Sequence, residues 1–350
     1  MSLFEHTEFD NHEEVVFCND KETGLKAIIA VHDTTMGPSL GGTRMWNYAS
    51  SGEALTDVLR LSRGMTYKSA LAGLPLGGGK AVIIGDAKTQ KSDALFKAYG
   101  RFVDSLGGKY ITAEDVNIRT SDIEIVATQT RYVAGTEGKA GDPSPHTALG
   151  GYLGLKAAAK HAFGNESLKG LKIAVQGLGA VGYDFAKHCA EDGAELIVCD
   201  VNQESVDKAV SKLGAKAVSI DEIYDVDADI YAPCALGATI NDETLKRIKA
   251  KVIAGSANNQ LATPEHDRIV KDMGILYAPD YVINAGGVIH VCSEAASFTT
   301  EETAARVRNI YNTLDKIFAR AKEEDRPTGE IADEMAREIL AAKAAEKANR

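Results

Sequence analysis

The chain has 350 residues, 44% hydrophobic and 25% charged, with a formal net charge of -11. That length predicts two globular domains. The acidic balance argues against a nucleic-acid footprint, which needs clustered Lys and Arg, and no apolar run approaches the roughly 18 residues of a membrane span. The cysteines (Cys18, Cys189, Cys199, Cys234 and Cys292) are odd in number and never form a CxxC pair, so neither a zinc site nor a disulfide framework follows, and no metal is expected. The acidic N-terminus has no signal-peptide core, and a reducing, cytoplasmic setting is expected.

In chain order, Leu25-Lys26-Ala27-Ile28-Ile29-Ala30-Val31 reads as a strand ending before polar His32-Asp33-Thr34-Thr35. Residues 53–70 read as a helix, because Leu55, Val58, Leu59, Ser62 and Met65 recur at three- and four-residue intervals. A flexible triple glycine, Gly77-Gly78-Gly79, leads through Lys80 into the short buried strand Ala81-Val82-Ile83-Ile84. Ser92 is an N-cap for a helix carrying Leu95, Phe96, Tyr99, Phe102, Val103 and Leu106, and Gly107-Gly108 stops it. Lys109-Tyr110-Ile111-Thr112 is a further strand, leading into Ala113-Glu114-Asp115. This part is an α/β layer with its polar residues gathered at strand ends.

Residues 135–146, rich in Gly, Pro and polar side chains, are the best candidate hinge. A helix over 147–163 precedes the strand Leu171-Lys172-Ile173-Ala174-Val175. Strands recur at 195–199, 228–232, 252–254 and 275–277 between helical stretches, the alternation of a doubly wound parallel sheet. From 301 the chain is helical and strongly charged, ending in an Ala-, Lys- and Glu-rich helix that is solvated or touches another subunit.

The strand at 171–175 feeds the turn Gly177-Leu178-Gly179-Ala180-Val181-Gly182. A lone GxGxxG is weak, but here a helix follows and Asp200 closes the next strand about 20 residues on, as a Rossmann-type dinucleotide site requires. Gly177 allows the tight turn, Gly179 lets backbone approach a pyrophosphate, and Gly182 lets helix pack on strand. Asp200 would bind the adenosine ribose and repel a 2′-phosphate, favouring NAD over NADP. A cofactor-free turn is the plain alternative.

Lys80 lies between glycines and an apolar strand, where burial favours an uncharged amine able to act as a base. A surface lysine in a glycine-rich turn is the other reading. Lys68, near the end of a helix, reads equally well as a solvated side chain. Asp115 at a strand end would pair with a lysine for acid/base work, or serve as loop solvation or an N-cap. Ala257-Asn258-Asn259-Gln260 and Asn284-Ala285-Gly286-Gly287 follow the apolar segments Val252-Ile253-Ala254 and Tyr281-Val282-Ile283. Both would place amides at the ligand edge of the sheet. Turn-forming Asn and Gly account for any one of them alone.

Together these segments resemble the Glu/Leu/Phe/Val dehydrogenase family. The likeness is carried by residues 32–38, Leu40-Gly41-Gly42-Thr43-Arg44-Met45, Arg63-Gly64-Met65-Thr66-Tyr67-Lys68, Leu74-Pro75-Leu76-Gly77-Gly78-Gly79-Lys80, Glu114-Asp115-Val116-Asn117, the glycine turn, residues 232–237 and Ser256-Ala257-Asn258-Asn259-Gln260. The resemblance spans nearly the whole chain and is nearest the branch acting on leucine. It implies a substrate-binding, catalytic and oligomerisation domain at 1–135, with the helix at 328–350 packing back on it. An NAD-binding Rossmann domain would span 136–327, with the catalytic cleft between the two. Lys68 would bind the substrate α-carboxylate, Lys80 would be the general base that activates water, and Asp115 would exchange protons with the amine. Asn259 would hold the amino group, and Thr147 and Asn284 would lie by the nicotinamide. Val201, Cys234, Ala235 and Asn258 join the glycine turn and Asp200 as cofactor-binding candidates. The family forms homo-oligomers, its leucine branch often octamers, and no nucleic-acid or membrane partner is implied.

The resemblance also implies a side-chain pocket of Leu40, Gly41, Met65, Ala113, Val288 and Val291. The glutamate branch has lysine where this chain has Leu40, so a second substrate carboxylate would go unpaired here, at a cost of several kcal/mol. Leucine, isoleucine and valine differ by a methylene worth about 1–3 kcal/mol and should all react. Gly41 and Ala113 are small enough to leave a phenylalanine- or tryptophan-type enzyme open, and a non-catalytic NAD-binding oligomer is the remaining alternative. Two departures from the family pattern stand out: Ala134 replaces a usual Thr, and the loop around 136–142 is shortened.

Overall fold

The computed structural model describes residues 3–136, 141–235 and 237–349, so most of the 136–142 loop lies outside the described residues, as does Leu236. The chain divides into two compact units, one of Met1–Gly141 with Val291–Phe298 and Ala336–Arg350, the other of Asp142–His290 with Thr299–Met335.

The first unit contains β1 (Glu14–Asp20), β2 (Leu25–Asp33), β3 (Ser39–Trp46), α1 (Ser51–Leu71), β4 (Gly77–Ile84), α2 (Asp93–Ser105), β5 (Tyr110–Glu114) and α3 (Thr120–Ala127). Its sheet runs β1-β2-β4-β3-β5, antiparallel at β1-β2 and β2-β4 and parallel at β4-β3 and β3-β5. The expected strand at 25–31 and the helices at 53–70 and from Ser92 are present. Ser50 caps α1 by accepting the Glu53 N–H, and Ser92 caps α2 by accepting that of Leu95.

The triple glycine is strand, not flexible turn: Gly77, Gly78 and Gly79 are the first residues of β4. Its glycines answer to crowding rather than mobility. A Cβ at Gly78 would sit 2.0 Å from the backbone nitrogen of Thr66, so α1 lies directly on the strand there. Strands β1 and β3 are hard to see in the sequence, because β3 is interrupted by Gly41 and Gly42 and β1 contains polar Asn19 and Asp20.

Alternation gives this sheet two interiors. Ile28, Ala30 and Val82 pack with Val58 and Leu59 of α1, whereas Ala81, Ile83 and Met45 pack with Phe96, Tyr99, Ile123 and Val126 of α2 and α3. Side chains at even positions of β4 therefore look toward α1.

The second unit contains α4 (Ser144–Phe163), β6 (Lys172–Gln176), α5 (Ala180–Glu191), β7 (Glu195–Cys199), α6 (Gln203–Leu213), β8 (Lys216–Ala217), β9 (Ile230–Pro233), α7 (Asp242–Leu245), β10 (Val252–Ile253), α8 (Glu265–Asp272), β11 (Leu276–Tyr277) and α9 (Asp280–Ile283). Helices α10 (Gly286–Ala295), α11 (Thr300–Glu324) and α12 (Thr328–Ala348) complete the chain. The sheet β11-β10-β9-β6-β7-β8 is parallel throughout, the doubly wound order expected from the βα alternation. The apolar Tyr281-Val282-Ile283 is helical rather than strand, since β11 has already delivered the chain to that edge and Pro279 starts a new turn.

Asp267 on α8 is 8% exposed and accepts the Glu330 N–H at 3.2 Å, near the start of α12. Its Oδ1 is buried with no hydrogen-bond partner among the described residues. Burial, with help from the Glu330 and Asp333 carboxylates, pushes its pKa up to about 6 against the pull of the Glu330 and Gly329 N–H groups. The folded chain thus binds this proton more tightly than the unfolded one, so stability falls as pH rises from about 4 through 6 and then levels off. Asp267→Asn keeps an acceptor for the helix start and removes the buried charge. We expect a melting midpoint raised by a few degrees at pH 8, from at most about 3 kcal/mol, and unchanged near pH 4. Thermal melts at the two pH values check this, and an equal effect at both would refute a cause in the buried charge.

Candidate active site

Strand register assembles the catalytic candidates of the first unit. Leu40 stands opposite Gly78 and Ile111, and Gly42 opposite Ala113. With a period of two, Leu40, Gly42 and Arg44 on β3, Gly78 and Lys80 on β4, and Ala113 and the residue after β5, Asp115, share the face toward α1.

Lys80 is 6% exposed, and its Nζ lies 2.9 Å from Asp115 Oδ2. Burial alone would raise the Asp115 carboxyl, but the Lys80 and Arg44 charges outweigh it and hold the group below the usual carboxylate range. The two cations therefore hold the carboxylate in its ionised form. Leu40 is 2% exposed, and Ala113 and Met65 are half-buried. Gly41 falls on the alternate side of β3, where its carbonyl accepts the Tyr110 hydroxyl at 2.6 Å. Lys68 is half-buried in the last turn of α1, two residues beyond Thr66, whose hydroxyl bonds His32 Nδ1 at 2.8 Å. Ala134 is buried, its N–H donating to the Thr112 carbonyl at 2.8 Å, which ties this segment to β5.

Sequence reasoning passes over Arg44, Asp57 and Tyr48. Arg44 Nε donates to Asp115 at 3.0 Å and its Nη1 to Asp57 at 3.1 Å, while the Tyr48 hydroxyl donates to Asp57 at 2.6 Å. The one signal that could have found them is a guanidinium placed two and four residues beyond Gly42 and Leu40 on an otherwise apolar strand.

In the second unit, the glycine turn lies where β6 ends and α5 begins. Gly177 has φ +101°, and a Cβ on Gly182 would come within 2.1 Å of the Gly177 carbonyl oxygen. A Cβ on Gly179 would meet nothing within 4 Å. Nothing in the protein's own packing demands glycine there, which suits a phosphate approaching the backbone. Gly179 is the N-cap of α5 without a side-chain cap bond, and exposed Ala180 with half-buried Val181 opens the helix. The first N–H groups and the dipole of α5 thus meet the requirement of a pyrophosphate.

Asp200 accepts the Leu178 N–H at 2.5 Å and the Asn202 N–H at 2.7 Å, so it also braces the turn. Val201 beside it is 87% exposed, and Ala235 is exposed next to half-buried Cys234. Asn284 Nδ2 donates to Asn258 Oδ1 at 2.7 Å, leaving its buried Oδ1 without a partner among the described residues. Thr147 donates to the Pro143 carbonyl at 3.1 Å and lies against Gly287, where a Cβ would be 2.6 Å from its hydroxyl. Asn258, Asn284 and Thr147 are thereby gathered at one edge of the sheet, with an orphan amide oxygen suited to a carboxamide donor. These residues fit a dinucleotide. Asn259 is exposed at φ +50°, and its carbonyl accepts the Ala238 N–H at 2.6 Å. Val288 and Val291 lie three residues apart on α10, on one helix face. Among the described residues no group of three or more His, Cys, Asp or Glu could hold a metal ion, and no helix is long and apolar enough to cross a membrane.

Comparison with known proteins finds relatives over nearly the whole chain. Residues 12–132 match the family described as Glu/Leu/Phe/Val dehydrogenase, dimerisation domain, and residues 195–348 match Glutamate/Leucine/Phenylalanine/Valine dehydrogenase. The chain is 56% identical over 343 residues to a leucine dehydrogenase of Geobacillus stearothermophilus, covering 97% of this chain and 94% of that one. It is 47% identical over 345 residues to a valine dehydrogenase of Streptomyces virginiae, covering 96% and 95%. The crystal structure of an L-tryptophan dehydrogenase from Nostoc punctiforme superimposes with a TM-score of 0.88 at 45% identity, over 98% of this chain and 100% of that one.

Proposed function

This chain belongs to the Glu/Leu/Phe/Val dehydrogenase family and is an NAD-dependent amino-acid dehydrogenase; from that premise we propose that its substrates are branched-chain L-amino acids, leucine with isoleucine and valine. The observation that carries the reading is the buried Lys80–Asp115 pair on the same sheet face as Leu40.

The Gly177–Gly182 turn, Asp200, Val201, Cys234, Ala235, Asn258, Thr147 and Asn284 would hold NAD, which would supply the acceptor for the hydride on the substrate α-carbon, and the Asp200 carboxylate would disfavour a 2′-phosphate. Lys68 pairs with the α-carboxylate and Asn259 with the amino group. Asp115 takes a proton from the substrate ammonium, which leaves the amine lone pair free to form the imine. Lys80 acts at this step as the free amine, its ammonium proton having gone to solvent beforehand, and removes a proton from the water that attacks the imine carbon. Asp115 returns its proton to nitrogen, and the carbinolamine collapses to the 2-oxo acid and ammonium.

The side chains proposed to contact the substrate side chain, Leu40, Met65, Ala113, Val288 and Val291, include no cation, and Gly41 would contribute backbone only, so a glutamate side chain would leave a carboxylate desolvated and unpaired. We expect kcat/KM with NAD to fall in the order L-leucine, then L-valine within about 200-fold, then L-phenylalanine, with L-glutamate not turned over. A clear preference for phenylalanine would overturn the substrate assignment. The same reading makes the enzyme a cytoplasmic homo-oligomer, supported by the match of residues 12–132 to a dimerisation domain and by Phe17, 60% exposed on edge strand β1.

A further inference from the structure

One carboxylate oxygen of Asp115 is held twice. Lys80 Nζ lies 2.9 Å from Oδ2, and Arg44 Nε donates to that same atom at 3.0 Å. Arg44 is itself fixed from the far side, because its Nη1 donates to Asp57 of α1 at 3.1 Å and Asp57 accepts the Tyr48 hydroxyl at 2.6 Å. The groups facing this chain of contacts are Lys80 from β4, Asp57 from α1 and Tyr48 from the segment after β3, while Tyr110 of β5 lies on the other face of the sheet within electrostatic reach of Asp115. The Tyr110 hydroxyl is committed to the Gly41 carbonyl. Side-chain exposures of 17% for Arg44, 20% for Asp115 and 8% for Lys80 put these groups largely out of water. Two cations, Lys80 and Arg44, and two carboxylates, Asp115 and Asp57, balance within the cluster.

We propose that Arg44 is a positioning residue for the deamination chemistry: with Lys80 it occupies Oδ2 of Asp115, which leaves Oδ1 as the oxygen that exchanges a proton with the substrate amine. A planar guanidinium suits this task because its fork reaches two carboxylates in fixed directions, which an ammonium cannot do. Asp57 and Tyr48 set the plane of that fork. Arg44 also supplies one of the two cations facing Asp115. Without it, Lys80 stands alone against two carboxylates, and the coupled Lys80–Asp115 pair takes up protons at higher pH.

This role rests on the function proposed above, and the test separates the two. Arg44→Gln, Arg44→Lys and, as reference, Asp115→Asn are compared by kcat and KM for L-leucine across pH, with NADH binding and thermal midpoint measured alongside. For Arg44→Gln we expect kcat reduced on the order of 10- to 100-fold, as for a misdirected catalytic group, with the KM for leucine and the NADH affinity changed little. The acid limb of the kcat profile should move up by about one pH unit. Arg44→Lys should leave the limb near its original place, because the charge stays, while recovering only part of kcat. For Arg44→Gln, a uniform loss at every pH, or no loss, overturns the positioning role. Should Arg44→Gln fail to fold, Arg44→Lys decides: reduced kcat with an unmoved limb supports the role, and unchanged kcat removes it. If Asp115→Asn retains its rate, the proposed function itself fails.

Discussion

Lys80→Ala is expected to fold normally and to lose at least about a thousandfold in kcat for L-leucine oxidation, in the range set by loss of a positioned general base. The side chain is 6% exposed and its charge partner sits 2.9 Å away, so removal takes both the base and the cation that orients Asp115. Removing one partner of a buried pair also leaves the other carboxylate short of charge. Arg44 still binds Asp115 at 3.0 Å and limits that cost to stability. The loss should appear in kcat rather than in NADH affinity, because the glycine turn that would hold the dinucleotide belongs to the other unit. Steady-state kinetics in both directions and NADH fluorescence titration check this. Amination and deamination at normal rates in the variant would sink the mechanism.

Gly78→Ala is expected to be among the most disruptive small substitutions in the first unit. The added Cβ would lie 2.0 Å from the Thr66 nitrogen, 2.2 Å from its hydroxyl and 2.5 Å from its Cα. Backbone atoms of a helix cannot swing aside as a side-chain tip can, so α1 must lift from β4. Overpacking of this kind costs about 1–3 kcal/mol or more. The displacement also acts on the site, because Lys68 lies two residues beyond Thr66 and Lys80 two beyond Gly78 on the same face. We expect a melting midpoint lowered by several degrees, and activity reduced beyond what the unfolded fraction explains. A variant with native stability and native kcat/KM would show that the close approach has no bearing on function.

The contrast between two glycine segments explains how far the sequence can be read. The turn at Gly177–Gly182 is legible because its meaning is local. Strand, tight turn, helix start and the acid at 200 lie within one βα unit, and the sheet observed around them has the expected parallel order. The segment Gly77–Gly79 reads as a flexible turn because runs of glycine are turns in isolation. Its glycines are instead imposed by elements distant in sequence: Asp33 against Gly77, Thr66 against Gly78, and Ser39 with Tyr110 against Gly79. Arg44 escapes a local reading for the same reason, since its partners Asp57 and Asp115 come from a helix and a strand end 13 and 71 residues away.

By itself the sequence determined the two-part α/β organisation, the dinucleotide turn and the identities of Lys80 and Asp115 as candidates, because hydrophobic period, capping residues and glycine spacing act over a few residues, whereas Leu40 became a candidate through the family resemblance. Tertiary structure alone decided that β3, β4 and β5 lie in parallel register, with Leu40, Lys80, Arg44 and Asp115 on one face. The ionisation of Asp115 was likewise settled there. Its burial is outweighed by two cations from neighbouring strands, and a balance of that kind depends on distances of about 3 Å that no local pattern encodes.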